Sequence, residues 1–108
     1  MTNIDEEIAR SLTSLGSNLK IARVRRQETQ EQFAKRIGTT RQRVAEMENG
    51  SPNVTMSNYA KALWAIGMAE DLSEVAHPDR DIQGKVSERE NDPQRVTSER
   101  RNTERYNF

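Results

Sequence analysis

A chain of 108 residues, 32% hydrophobic and 31% charged with a mean hydropathy of −1.00, suffices for one small domain but is too polar for all of it to fold. Cysteine is absent, which excludes disulfides, thiol nucleophiles and cysteine metal sites. No apolar run approaches the roughly 18 residues that cross a bilayer, and no basic-then-apolar start resembles a signal peptide, so a cytoplasmic protein is expected. The formal charge of zero is unevenly divided. Residues 1–15 set Arg10 against Asp5, Glu6 and Glu7, residues 16–50 hold eight Lys/Arg against four Glu, residues 51–78 set Lys61 against Glu70, Asp71 and Glu74, and residues 79–108 balance seven against seven. Local basicity of the second stretch is what contact with phosphate requires.

In chain order, Ile4, Ile8, Leu12 and Leu15 recur at helical spacing behind an acidic first turn, predicting a short amphipathic arm over residues 1–15. Gly16-Ser17 reads as a break. Ser17 can then cap a helix over about Asn18 to Gln27, with Leu19, Ala22 and Val24 inward. The organising stretch follows. Thr29 with Gln32 three residues on has the form of a capping box, Gly38 can end that helix in the left-handed conformation, and Thr40 can cap a second helix from Arg41 to about Asn49. Two short helices hinged in this way are a helix-turn-helix. Phe33, Ala34, Ile37, Val44 and Met47 are its expected inward residues.

Gly50-Ser51-Pro52-Asn53 is a turn by composition, and Thr55 or Ser57 can start a helix reaching Ile66 with Tyr59, Ala62, Leu63 and Ile66 buried. Gly67 closes it. A last short helix from about Met68 to Ala76 offers Leu72 and Val75. The single histidine, His77, precedes Pro78 with no partner at metal-ligand spacing, so a surface role is expected. From Asp79 to Phe108 the few apolar groups cannot offset the ordering entropy, which predicts a disordered tail; Tyr106 and Phe108 at its end are its most plausible docking residues. The chain has no histidine beside a nucleophile, no glycine-rich phosphate loop and no carboxylate pair placed for acid-base work. No enzyme, cofactor or metal is expected.

From Leu15 to about Ala76 the chain resembles the Xre/Cro-type helix-turn-helix family, the fold of lambdoid phage repressors. The resemblance rests on Thr29-Gln30, Phe33-Ala34, Gly38, Val44, Glu48-Asn49-Gly50 and then Tyr59, Ala62 and Ile66. It implies an all-α, five-helix lambda-repressor-like domain over residues 16–78, preceded by the arm and followed by the tail. By the family's docking geometry the start of the second motif helix enters the major groove, making Arg41, Gln42, Arg43 and Glu46 the expected base-reading residues: guanidinium to guanine, amide to adenine, carboxylate to cytosine. Arg43 could instead bond phosphate. Phosphate contacts are expected from Gln30, from Thr40 and the backbone N–H groups at that helix start, and from Asn49 and Asn53. A structural ion pair between Arg23 and Glu48 is also implied.

Such domains usually bind palindromic double-stranded operators as homodimers. Trp64 lies where relatives carry a polar residue, and it marks a dimer or partner interface with Met68, Leu72 and Val75. The stretch from Ala62 to Asp81 resembles HipB-type antitoxins, encoded beside HipA-like kinases. The resemblance therefore implies a bacterial transcriptional repressor, nucleoid-associated when on DNA, that regulates its own operon and binds a kinase-like toxin. A phage-type or autoregulatory repressor without a toxin is the alternative.

Overall fold

The structure, a computed structural model, describes residues 3–91. All regular structure among these residues is helical: α1 (Ile4–Arg25), α2 (Gln30–Ile37), α3 (Arg41–Glu48), α4 (Met56–Ala65), the single turn α5 (Asp71–Glu74), a 3-10 turn (Pro78–Arg80) and α6 (Ile82–Glu90). The described residues divide into two compact units, residues 3–73 and residues 74–91.

In the first unit, local chemistry fixes the helix ends. The Thr29 hydroxyl accepts from the Gln32 N–H at 3.0 Å while the Gln32 side chain accepts from the Thr29 N–H at 2.9 Å, completing the capping box. Gly38 takes φ 72°, a left-handed value that a β-carbon disfavours, and ends α2. Thr40 and Thr55 cap α3 and α4 through their hydroxyls, accepting from the N–H groups of Arg43 and Asn58. These ends lie within a residue or two of where the capping residues place them.

The expected break at Gly16-Ser17 is absent, and the arm and the following helix are one helix of 22 residues. Gly16 is buried inside it. A β-carbon there would collide with the carbonyl oxygens of Met47 and Glu48 and lie 2.8 Å from the Gly50 nitrogen. The glycine therefore serves close backbone approach, with no need for a turn. Gly50, at φ 75°, answers from the other side: its β-carbon would lie 2.7 Å from the Leu12 carbonyl oxygen.

The core comprises Leu19, Phe33, Ala34, Ile37, Val44, Met47, Val54, Tyr59, Ala62, Ala65 and Ile66. Phe33, Met47 and Val44 are its largest fully buried side chains. Leu12, Leu15, Ala22 and Leu63 are partly buried against it. Val24, expected inward, is exposed; the inward position one residue earlier is taken by Arg23, for a reason given below. Leu72 is also exposed, because the last helix of the expected stretch shrinks to one turn that buries nothing.

In the second unit, Ala76 has φ 63°, and His77 caps the 3-10 turn by accepting from the Asp79 N–H at 3.0 Å through Nδ1. Val75 is exposed. Residues 82–90, expected to lack structure, form α6. That helix is a local product: the Asp81 carboxylate accepts from the Gly84 N–H at 2.9 Å, and no α6 residue is buried. The rest of the expected tail, with Tyr106 and Phe108, lies outside the described residues.

Candidate nucleic-acid interface

The site begins with how α3 is held. Phe33, Ala34 and Ile37 of α2 and Val44 and Met47 of α3 all point into the core, and the small Ala34 lets the two helices cross closely. The inner face of α3 is thereby committed to packing. Its C-terminal turn carries Glu48, which is buried. A buried carboxylate requires a partner for each oxygen.

Arg23 supplies that partner. Its Nε lies 2.6 Å from Glu48 Oε2 and its Nη2 lies 3.1 Å from Oε1, the two-pronged geometry that suits guanidinium and carboxylate. Its Nη1 donates to the Glu28 carbonyl at 2.6 Å, so each of its three nitrogens is engaged within the fold. Gln30, expected to clamp phosphate, donates its side-chain amide to Glu48 Oε1 at 3.0 Å. This contact uses one of the two Nε2 hydrogens of Gln30 and leaves the other N–H able to donate to a second acceptor. No buried side-chain polar atom among the described residues lacks a hydrogen-bond partner.

The outer face of α3 is different. Arg41 and Gln42 are exposed, and Arg43 and Glu46 are half-buried. No hydrogen bond or ion pair among the described residues engages these four side chains. Nor does any acceptor among those residues meet the N–H groups of Arg41 and Gln42. A helix start with free donors and a cationic side chain favours an anion. Thr40, Asn49 and Asn53 are exposed around this helix: Thr40 as its N-terminal cap, Asn49 as its C-terminal cap, and Asn53 in the following turn.

Two other basic residues, Arg36 and Arg26, have internal roles that the sequence did not disclose. Arg36 pairs with Glu28 at 2.7 Å and lies 5.5 Å from the centre of the Phe33 ring. Arg26 donates to the Ile66 carbonyl at 3.3 Å, covering the end of α4. Of the expected interface residues in the first unit, Trp64 is 62% exposed and Met68 50%. Such an unburied indole is unusual for a residue whose apolar body favours contact. Among the described residues no group of acidic or histidine side chains could hold a metal ion, and no helix is long and apolar enough to cross a membrane.

No curated protein and no solved structure matches the chain. A family model described as helix-turn-helix, HTH_3, matches residues 19–63, a span that runs from the second half of α1 into α4. With α2 and α3 joined at Gly38 inside that span, this part of the chain is similar to the helix-turn-helix domains that the family model describes.

Proposed function

We propose that this protein is a sequence-specific transcriptional repressor that reads a palindromic operator as a homodimer. The observation carrying this reading is the division of α3. Its inner face is locked by the core and by Glu48, while Arg41 and Gln42 stand exposed and unengaged at its start. In this reading Arg41, Gln42 and Glu46 meet base edges, and Arg43 meets base or phosphate. Gln30, Thr40, Asn49 and Asn53 fix the register on the backbone. The test is footprinting of the full chain on the DNA upstream of its own gene, beside a shuffled duplex of the same composition, at low and physiological salt. A protected palindrome that persists at physiological salt is expected. Equal occupancy of both duplexes would defeat the reading.

Within it, the protein is an antitoxin that holds a HipA-like kinase and represses the operon encoding both. This part rests on the likeness of residues 62–81 to HipB-type antitoxins. The exposed Trp64 and Met68, with Leu72, offer an apolar surface for the toxin or for the second copy, and Val75 is proposed in the same role on its own exposure. The setting is the bacterial cytoplasm, at the nucleoid when DNA is bound. Co-purification of the tagged chain with products of its neighbouring genes separates the alternatives. A kinase retained at fixed ratio fits the antitoxin, whereas the chain alone with its operator fits a stand-alone repressor.

A further inference from the structure

The first unit has a second feature, unrelated to the outer face of α3. An apolar groove of about 210 Å3 opens between α1, the 51–54 turn, α4 and Leu72. Leu12 and Leu15 form one wall, and Val54, Met56 and Leu63 the other. Met56 is 78% exposed at its edge. The α1 stripe that supplies Leu12 continues one and two turns outward through Ile8 and Ile4, both exposed. The result is an apolar track longer than the groove itself, and a contiguous surface of this kind marks a docking site.

Charge indicates the occupant. The stretches of the first unit that form the groove, residues 3–15 and 51–73, carry Asp5, Glu6, Glu7, Glu70 and Asp71 against only Arg10 and Lys61. Residues 16–50 carry the opposite excess. A second copy seated here would bring the same acidic residues to the contact, and like charges across an interface oppose association. Nucleic acid is disfavoured for the same reason. We infer that the groove formed by Leu12, Leu15, Met56, Leu63 and Leu72 docks a basic amphipathic helix of another protein, its apolar side in the groove and its Lys/Arg beside the acidic residues. This is the helix-in-groove mode of recognition. The inference does not depend on how α3 meets DNA or on the surface of Trp64 and Met68, which lies outside the groove lining; of the residues offered above to a toxin or second copy it uses Leu72 alone.

The probe is a labelled 14-residue peptide of leucine and lysine at heptad spacing, titrated into the full chain at physiological salt. Its counterpart of leucine and glutamate is titrated in parallel. Saturable binding of the lysine peptide and none of the glutamate peptide is expected. Met56→Lys removes apolar contact and adds a repelling charge at an exposed position, so it should weaken binding by about tenfold or more. Ile21→Lys places the same charge change on an exposed part of α1 outside the groove lining and should leave affinity within about twofold. Sedimentation of both variants should match the parent chain. Equal binding of both peptides, or undiminished binding by Met56→Lys, overturns the proposal. So does loss of self-association in Met56→Lys, which would make a second copy the occupant.

Discussion

Arg23 closes on Glu48 through both Nε and Nη2 across 25 positions of sequence, tying α1 to the last turn of α3. Both side chains are nearly removed from solvent, so removing either leaves the other as an unpaired buried charge. Glu48→Ala should lower the unfolding free energy by about 3–5 kcal/mol, read from urea denaturation followed by circular dichroism. A loss under about 1 kcal/mol, the size of an exposed pair, would mean that the pair contributes little to the fold.

The glycines at 16 and 38 should respond differently to alanine. At Gly38 a β-carbon meets nothing within 4 Å, and only the left-handed backbone is disfavoured, a cost of about 1–2 kcal/mol. At Gly16 the backbone is helical, where alanine is intrinsically better by about 1 kcal/mol. The collision with the Met47 and Glu48 carbonyls should nevertheless make Gly16→Ala the more destabilising of the two. Parallel thermal melts decide the order.

Gln42→Ala should weaken binding to the protected operator by about 1–3 kcal/mol and relax preference at one base pair. Binding to random duplex should hardly change. Titration of a panel of single-substituted operators measures both, and an equal loss on operator and random DNA would remove Gln42 from base reading.

Tyr59 gives the fold a dependence on alkaline pH. Burial raises its phenol pKa above the ordinary value of 10.0, and the hydroxyl donates to the Ser51 carbonyl at 2.6 Å. The folded state therefore retains this proton after the unfolded chain has begun to lose it. The stabilisation is complete below the unfolded pKa and falls as pH rises through the folded one. Denaturation midpoints of the parent chain should drop above pH about 10, and those of Tyr59→Phe should drop less.

At the helix ends of the first unit, where structure depends on neighbouring residues, the sequence is a sufficient guide. Thr29 with Gln32, Gly38, Thr40 and Thr55 mark helix ends because capping is chemistry over three or four positions. The inward residues of α2 and α3 follow from helical spacing. Gly16 differs from its expected break because a helix-breaking glycine and a close-packing glycine have the same local signature; only the backbone of residues 47–50, distant in sequence, distinguishes them. The Gln30–Glu48 contact depends in the same way on two helices being brought together. Asp81 and Gly84 supplied a local cap for α6, a signal outweighed by the low apolar content around it. The exposed Arg41 and Gln42 were legible from the resemblance, whereas the groove was not, since its walls come from three separate stretches.

Because α1 runs unbroken through Gly16, it extends well beyond the point where it meets α3. At about 1.5 Å of rise per residue, Ile4 stands roughly 18 Å along the helix axis from Gly16. The meeting point is the backbone seat of Gly16 beneath the end of α3, the helix that presents Arg41 and Gln42. Whatever contacts Ile4 and Ile8 therefore contacts the same continuous helix that is seated against the end of α3.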